Sequence, residues 1–231
     1  MNVAIIPARG GSKRIPRKNI KQFAGQPMLA YPILAALHSG CFERVIVSTD
    51  DIEIAAIAQK YGAETLALRP AALADDYTGT SAVIRYELEQ LQHQGTTPEY
   101  CCCIYATTPL LQANLLTTAW QMLQATASLN YVFSAARFSF PIQRALVQTE
   151  TGVAPFDTSS IAKRSQDLTP TFHDAGQFYF GRTEAWLTQQ PVFGNNSQML
   201  VLPDQLVQDI DTPEDWQHAE LLYQLLQQAK A

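Results

Sequence analysis

The amino-acid sequence predicts an α/β protein with a mostly parallel sheet, and three observations support that fold class. Short apolar runs typical of buried strands alternate along the chain with longer stretches whose apolar residues recur at helical spacing. Several of the apolar runs lead directly into polar residues, as strands do at a ligand-binding edge. The chain of 231 residues is 47% hydrophobic and 16% charged, which suffices for one core without disulfides or metals. We therefore expect a single domain over residues 1–231 with right-handed crossovers.

The predicted elements alternate regularly over the first part of the chain. They are strands at 3–7, 45–50, 63–68, 100–104 and 131–136, a strand from 173, and helices at 28–40, 52–61, 82–94 and 115–126. Thr49 or Asp50 is expected to cap the second helix. Residues 137–172, named here the arm, interrupt the alternation and are expected to act as a lid or a dimerisation insertion.

Charge and cysteine usage exclude several classes of protein. The net charge of −5 argues against a binder of nucleic acid or of anionic membranes, since such proteins need a broadly basic face. Three of the four cysteines are consecutive, at positions 101–103, which predicts a buried strand in a reducing compartment rather than disulfides or zinc. The sequence contains neither a secretory leader pattern nor a run of 18 apolar residues. We expect a cytoplasmic protein without nucleic-acid or membrane partners.

The most informative stretch, residues 9–19, follows the first predicted strand and is named here the cationic loop. It contains five cations within ten residues and two adjacent glycines. Gly10 and Gly11 let the backbone approach an anion closely. The side chains that can donate to such an anion are Arg9, Ser12, Lys13 and Lys18. The loop lacks the spacing of a P-loop or a dinucleotide-binding motif, so it predicts another kind of polyphosphate site. The alternative is a solvated surface loop.

Two acidic residues near the carboxyl terminus form a second candidate site. Asp209 and Asp211 alternate on a predicted extended strand, so both side chains project from one face with room for a magnesium ion and its waters. Thr212 and Pro213 then begin the last helix. The alternative is that both aspartates cap this helix, which accounts for Asp211 more easily than for Asp209.

These motifs resemble those of a known family. Residues 6–9, 12–13, 15–16 and 18–19 read Ile-Pro-Ala-Arg, Ser-Lys, Ile-Pro and Lys-Asn, similar to the opening motif of the cytidylyltransferases that activate nonulosonic acids, which are nine-carbon keto-sugar acids. The resemblance spans essentially the whole chain. It implies a three-layer Rossmann-like nucleotidyltransferase fold. The implied reaction converts CTP and a free nonulosonic acid into a CMP-sugar and pyrophosphate, for cell-surface or flagellin glycosylation.

The resemblance also implies roles for individual residues. Catalysis is expected of Arg9, Lys18, Asp209 and Asp211, with Mg²⁺ on the two aspartates. Lys18 is expected to stabilise charge on the leaving pyrophosphate. The residues expected to bind CTP are Arg9, Gly10, Gly11, Ser12, Lys13, Lys18, Asn19, Arg69 and Thr80. No side chain is identified as the general base, for which water or hydroxide on the metal is the hypothesis.

Two segments depart from the pattern of relatives that act on sialic acid. Where many of those relatives carry Gln-Pro-Thr-Ser-Pro, residues 105–109 read Tyr-Ala-Thr-Thr-Pro. Where they carry Arg-Pro-Asn-Gly, residues 173–176 read His-Asp-Ala-Gly. Both departures resemble the branch of the family that activates pseudaminic acid. The residues expected to bind the sugar are Tyr105, Thr107, Arg144, Arg164, His173, Asp174 and Gln177.

The resemblance further implies a homodimer in which the arm crosses to a second subunit. Arg144 and Arg164 would then clamp the sugar carboxylate, since a guanidinium binds a carboxylate bidentately. The alternative is that both are plain surface arginines. Three other functions remain open: a synthetase for CMP-N-acetylneuraminic or legionaminic acid, a different sugar nucleotidyltransferase, and a nucleotide-binding regulator without turnover. A regulator would be expected to lose Lys18 or the aspartate pair, and this chain keeps them.

Overall fold

The computed structural model describes residues 1–75 and 77–229, and a six-stranded sheet forms its centre. The strands are β1 (Asn2–Pro7), β2 (Gln22–Phe23), β3 (Gln26–Pro27), β4 (Arg44–Ser48), β5 (Tyr100–Ile104), β6 (Tyr131–Arg137), β7 (Leu146–Thr149), β8 (Gly152–Pro155), β9 (Phe172–Arg182) and β10 (Ser197–Val201). The α-helices are α1 (Ala30–Ser39), α2 (Ile52–Lys60), α3 (Thr80–His93), α4 (Ala113–Ala125), α5 (Thr183–Leu187) and α6 (Pro213–Gln228). No helix in the described part of the chain is both long and apolar enough to span a bilayer.

The central sheet has the strand order β10-β6-β9-β5-β1-β4, and every strand except β9 runs in the same direction. β1 lies between β4 and β5, and its Ile5 is opposite Ile46 on one side and Cys103 on the other. β9 pairs antiparallel with both β5 and β6. Its register against β6 shifts next to Gly176, whose φ is +61°. The predicted α/β fold with a mostly parallel sheet is confirmed.

Helices cover both faces of the sheet because its central strands are apolar on both sides. On β1, Ala4 and Ile6 pack into one core with α1, α2 and α4, whereas Val3 and Ile5 pack into a second core with α3 and α5. The consecutive cysteines of β5 alternate between the two cores in the same way, and all are buried and free. Successive side chains of a strand point to opposite faces of the sheet. This alternation accounts for both the three-layer arrangement and the burial of all three cysteines.

Two predicted strands are absent from the described residues. Within 63–68 only Glu64 pairs with the sheet, through a single bridge, so the segment is a connection. Residues 207–211 also form no strand. After β10 the chain makes a short turn and then runs to α6 without pairing with another strand. The prediction that Asp209 and Asp211 lie on an extended strand is therefore wrong. Their relative position is set by their contacts instead.

Helix α2 begins at a different cap from the one expected. The Asp51 carboxylate, rather than Thr49 or Asp50, accepts the backbone N–H groups of Glu53 and Ile54. Asp51 is the residue with the extended backbone at the helix start, which places its side chain over those two amides. The Asp50 carboxylate instead accepts a hydrogen bond from the cationic loop.

The arm leaves the central sheet between β6 and β9. Its β7 and β8 form a separate two-stranded antiparallel hairpin. Several large apolar side chains of the arm are exposed: Phe140, Leu146, Val147, Val153 and Phe156. This segment lacks the two-sided packing that buries the central strands.

Candidate active site

Most of the predicted nucleotide-binding residues meet in a crevice at the carboxyl ends of β1 and β5, where the strand order of the sheet reverses. The crevice has a volume of about 520 Å³. The predicted residues that line it are Arg9, Ser12, Lys13, Lys18, Asn19, Thr80, Tyr105, Thr107 and Asp211. They come from the cationic loop, the start of α3, the segment after β5 and the turn before α6, so the crevice unites four distant parts of the chain.

The start of the cationic loop is packed against the amino terminus of α2. The backbone N–H of Gly10 donates to the Asp50 carboxylate at 2.9 Å. A Cβ at Gly10 would lie 2.7 Å from a carboxylate oxygen of Asp51, whereas a Cβ at Gly11 would meet nothing within 4 Å. The loop therefore requires glycine at position 10 for close packing, and the Gly10 amide is used by the protein itself.

Two further residues hold the remainder of the cationic loop. Arg17, with a φ of +55°, forms a salt bridge with Asp51 and a second one of 2.5 Å with Glu53. The Arg17 guanidinium lowers the pKa of the Asp51 carboxyl by hydrogen bonding to it. The amide of Asn19 is almost fully buried and donates to the Arg9 carbonyl at 2.9 Å. Asn19 therefore shapes the wall of the crevice from within the loop.

Lys18 joins the cationic loop to the carboxyl-terminal aspartates. Its ammonium donates to the Ile210 carbonyl at 2.5 Å and lies 3.5 Å from the Asp211 carboxylate, 193 positions away. Arg14 approaches the same carboxylate at 2.9 Å and also lines the crevice. Lys18 and Arg14 of the cationic loop thus meet Asp211 at one site, whereas Asp209 does not line the crevice.

The two aspartates do not cap α6. The Thr212 hydroxyl accepts the backbone N–H of Asp215 at 3.2 Å, and the Asp215 carboxylate accepts those of Asp211 and Thr212 at 3.0 and 2.8 Å. This reciprocal arrangement is a capping box, which satisfies the start of the helix without Asp209 or the Asp211 side chain. The helix-cap alternative for the pair is therefore excluded.

The chemistry of the aspartate pair fits a magnesium ion. Removal from water and then the negative charge of Asp211 raise the pKa of Asp209, while the Lys18 ammonium acts in the opposite direction. A divalent cation would relieve the repulsion between the two carboxylates. Magnesium binds through one or two carboxylates and takes its other ligands from phosphate and water. Among the described residues no group of three or more His, Cys, Asp or Glu side chains could hold a metal ion, so an ion at the pair would need phosphate and water as its other ligands.

A second cavity, of about 210 Å³, adjoins the crevice at Arg9 and Thr80. Its lining includes Arg69, whose side chain is only 3% exposed and lies 4.0 Å from the Asp50 carboxylate. Burial lowers the pKa of Arg69, and the charges of Asp50 and Glu87 oppose that change. Nε of Arg69 makes no hydrogen bond within the described structure. The cavity is thus lined by a buried cation with an N–H donor, at Nε, that is not used in a hydrogen bond.

Glu87 of α3 is a buried acid behind this cavity. It is 1% exposed, and neither carboxylate oxygen has a hydrogen-bond partner among the described residues. Burial raises the pKa of Glu87, whereas the nearby Ser48 hydroxyl and the Arg69 charge favour the ionised form. Buried carboxylates are normally paired, so Glu87 and Arg69 are best understood as one electrostatic unit.

A third cavity, of about 240 Å³, joins the crevice at Thr80 and Tyr105. The two hydroxyls are 3.5 Å apart, and the Tyr105 ring lies 5.5 Å from that of Tyr179. Tyr179 in turn donates a hydrogen bond to the Asp174 carboxylate. Burial raises the pKa of both tyrosines, which keeps their hydroxyls protonated. The opposite wall is apolar and consists of Trp186, Val192 and Phe193.

Two predicted sugar contacts from β9 do not line the crevice. His173 is exposed, and its ring Nδ1 contacts the backbone carbonyl of Asp174 at 2.9 Å. Gln177 is buried, and its amide donates to the Leu206 carbonyl. The structure therefore gives Gln177 a contact that holds the segment leading to Asp209.

The two arginines of the arm also stay away from the crevice of their own chain. Arg144 donates to the Ser165 hydroxyl at 3.2 Å, and Arg164 pairs with Asp167 at 2.8 Å. Neither lines the crevice, and both contacts lie within the arm. One chain alone thus does not bring these guanidinium groups to the nucleotide site.

Sequence analysis did not identify Arg14, Tyr179 or Glu87. The signal for Arg14 was available, because it is one of the five cations of the loop. Tyr179 and Glu87 gave no local signal, since their significance depends on burial beside residues from other elements. Asp50, predicted only as a possible helix cap, instead holds the loop by accepting the backbone N–H of Gly10.

A family model described as cytidylyltransferase matches residues 3–228. The chain belongs to the cytidylyltransferase family. This cytidylyltransferase is 46% identical over 225 residues to the pseudaminic acid cytidylyltransferase of Campylobacter jejuni subsp. jejuni serotype O:23/36, with 97% of each chain covered. It is 29% identical over 229 residues to the CMP-N,N'-diacetyllegionaminic acid synthase of Legionella pneumophila, with 98% of each covered. The family predicted from the sequence motifs is confirmed, and the chain is a CTP-dependent nucleotidyltransferase.

The fold of the cytidylyltransferase also resembles a solved structure, CMP:2-keto-3-deoxy-manno-octonic acid synthetase complexed with CTP. The TM-score is 0.72, and the match covers 97% of this chain and 98% of that one. Because the sequence identity is only 15%, this similarity concerns the fold alone. It confirms the predicted nucleotidyltransferase fold.

Proposed function

We propose that this cytidylyltransferase converts CTP and pseudaminic acid into CMP-pseudaminic acid and pyrophosphate. The observation that carries the proposal is the contact of Lys18 with the Asp211 segment in one crevice that also opens onto Tyr105. The choice of pseudaminic acid is supported by 46% identity to a relative of that name, against 29% to the legionaminic acid synthase.

The crevice is suited to the triphosphate because its cations come from one loop, which is held by contacts of Gly10, Arg17 and Asn19. Arg9, Ser12 and Lys13 would surround the phosphates, and Lys18 would neutralise the charge that develops on the leaving pyrophosphate. The cavity with Arg69 and Thr80 would receive the cytidine. The geometry thus separates binding of the nucleoside from stabilisation of the leaving group.

The cavity beyond Tyr105 would receive the sugar acid. It combines hydroxyl and carboxylate groups of Tyr105, Tyr179 and Asp174 with an apolar wall. A diamino nonulosonic acid carries both hydrogen-bonding groups and apolar substituents, so it matches both sides of the cavity. The anomeric hydroxyl would then face the α-phosphate, which the crevice holds for in-line attack.

Asp209 and Asp211 are proposed to hold Mg²⁺. When bound, the ion would neutralise phosphate charge and favour ionisation of the attacking hydroxyl. Lys18 and Arg14 contribute by fixing the Asp211 carboxylate at the edge of the crevice. We also place the enzyme in the cytoplasm, a proposal supported by its free cysteines. The product would serve cell-surface or flagellin glycosylation.

We further propose that the enzyme is a homodimer built by the arm. The exposed side chains of Phe140 and Phe156 are 84% and 67% accessible, which is costly for a monomer in water. A second copy that covers them would also carry Arg144 and Arg164 toward the partner's sugar cavity. There the two arginines would bind the sugar carboxylate.

The test is pyrophosphate release with CTP, Mg²⁺ and a panel of keto-sugar acids. We expect turnover with pseudaminic acid, much slower turnover with legionaminic and N-acetylneuraminic acids, and loss of turnover when EDTA removes the metal. UTP in place of CTP controls for nucleotide selectivity. Preference for another acid would reject pseudaminic acid, and no release with any acid would reject the reaction.

A further inference from the structure

Two buried isoleucines, one in each segment, connect the cationic loop to the aspartate pair. Ile15 lies in the loop between Arg14 and Pro16, both exposed, yet Ile15 itself is only 2% exposed. Ile210 lies between Asp209 and Asp211 and is 0% exposed. Each polar segment therefore inserts one apolar side chain into the protein while its neighbours face the crevice or solvent.

Both side chains enter the same small core, which is separate from the two cores of the sheet. This core, named here the clamp cluster, consists of Ile15, Phe23, Met28, Ile210, Trp216 and Ala219. Phe23 packs edge-to-face on Trp216 at 5.4 Å between ring centroids. Because Phe23 belongs to β2 and Trp216 to α6, the cluster joins the chain just after the cationic loop to the helix just after the aspartates.

Ile210 makes a second link through its backbone. Its carbonyl accepts the Lys18 ammonium at 2.5 Å while its side chain is buried in the clamp cluster. The ion pair between Lys18 and Asp211 is longer, at 3.5 Å, and the Asp211 side chain is 37% exposed. Water screens such a pair, whereas burial of apolar side chains is not screened. The apolar contact is therefore the stronger determinant of where Lys18 lies relative to Asp211.

We propose that Ile15 and Ile210 are positioning residues, whose shared burial in the clamp cluster fixes the distance between Lys18 and Asp211 before any substrate binds. Neither residue touches substrate. The proposal rests on the proposed function only in naming Lys18 and Asp211 as the groups that are positioned. Shortening either side chain would let the two polar segments move independently, which an active site that depends on close alignment tolerates poorly.

The first readout is amide hydrogen exchange, which needs no substrate. Ile15→Ala should speed exchange in residues 9–19 and also in 207–212, and Ile210→Ala should do the same in both segments. Ile46→Ala is the matched control, because Ile46 is also fully buried but lies in the middle of β4 and packs in a sheet core. It removes the same atoms and should leave the relative protection of the two segments unchanged.

The second readout is steady-state kinetics. Ile15→Ala and Ile210→Ala should each lower kcat by about tenfold to a hundredfold, as a small misalignment does. A smaller change in KM for CTP is expected, and Ile46→Ala should leave kcat near the wild-type value. Ile15→Val and Ile210→Val, which keep most of the side chain, should recover most of the rate. They also replace the alanine variants if those fail to fold.

The exchange result decides the proposal even if the wild-type enzyme releases no pyrophosphate with the tested acids. Faster exchange confined to the segment that carries the substitution, with the other segment unchanged, would overturn it. Equal effects of Ile46→Ala and Ile15→Ala on both segments would also overturn it, because the coupling would then be a general loss of stability.

Discussion

The crevice and the arm of this enzyme differ in how far along the chain their contacts reach. In the crevice, Gly10 bonds to Asp50 and Lys18 bonds to Asp211, pairs separated by 40 and 193 positions. In the arm, the ion pair of Arg164 spans three positions and the hydrogen bond from Arg144 to Ser165 spans 21, and both stay within the arm. Residues 138–171 are all described, and Ser160 is the one buried residue among them.

This difference indicates which part of the site is preorganised by one chain. Long-range contacts fix the nucleotide crevice because strands, loop and terminal helix must all be in place before they form. The side-chain contacts of Arg144 and Arg164 stay within the arm, and several of its large apolar side chains are exposed, so we expect its final position to depend on the proposed partner subunit. In the proposed homodimer, substitutions in the crevice should therefore act within each subunit, whereas substitutions in the arm should act across the interface.

The largest effect is expected from Lys18→Ala. Removing the ammonium takes away the charge proposed to stabilise the leaving pyrophosphate and the bond to the Ile210 carbonyl, so kcat should fall by about two to three orders of magnitude. Lys60→Ala, at the exposed end of α2, is the control and should keep the wild-type rate. Single-turnover measurement of pyrophosphate release separates chemistry from product release. An unchanged kcat for Lys18→Ala would remove its catalytic role.

The second prediction concerns the arm. Arg144→Ala with Arg164→Ala should lower kcat/KM for the sugar acid by about tenfold to a hundredfold, the loss expected for charged hydrogen bonds to a carboxylate. Mixing this double variant with Lys18→Ala, followed by subunit exchange, should restore activity to about a quarter of the wild-type value. Half of the randomly formed dimers would then contain one intact site. No recovery in exchanged dimers would mean that the arginines do not act across the interface.

The third prediction returns to the packing of the cationic loop. Gly10→Ala should raise KM for CTP by about tenfold and destabilise the protein by about 1–3 kcal/mol, because the new Cβ would overlap Asp51. Asp51 cannot move freely, since it caps α2 and binds Arg17. Gly11→Ala is the matched control and should be nearly neutral. Steady-state kinetics at varied CTP concentration and thermal unfolding measure the two effects, and equal behaviour of the variants would contradict the packing argument.

The sequence is most informative where the site consists of neighbours in the chain. The cations of residues 9–19 and the strand that precedes them are contiguous, so both the loop and its anion chemistry are readable from order alone. The cysteine strand is readable for the same reason, since periodicity is local. The resemblance to a known family then connects the two separate motifs, the cationic loop and the aspartate pair, to a single reaction.

The sequence is least informative where tertiary contacts determine which of several possible local structures forms. Thr49, Asp50 and Asp51 are all able to cap a helix, and only the packing of Gly10 and Arg17 against Asp51 shows which one does. The alternation of polar and apolar residues at Asp209, Ile210 and Asp211 is typical of a strand. Ile210 is instead buried in the clamp cluster while the chain stays unpaired.

The smallest effect is expected from Glu87→Gln, which tests the buried charge behind the nucleoside cavity. The substitution keeps the side-chain volume but removes the negative charge near Arg69, so KM for CTP should rise a few-fold, about the loss of one weak interaction. Glu89→Gln is the control, because Glu89 lies on the same helix, is exposed and pairs with Arg85.

The pH dependence of this variant has a definite sign. Burial raises the pKa of Glu87 above the ordinary value of 4.5, so the unfolded chain ionises first, and stability from the protonated form is lost as pH rises through the folded pKa. The stability of Glu87→Gln relative to the wild type should therefore increase as pH rises from 4.5 toward neutrality. Urea unfolding at a series of pH values measures this difference, and the opposite slope would show that Arg69 outweighs burial.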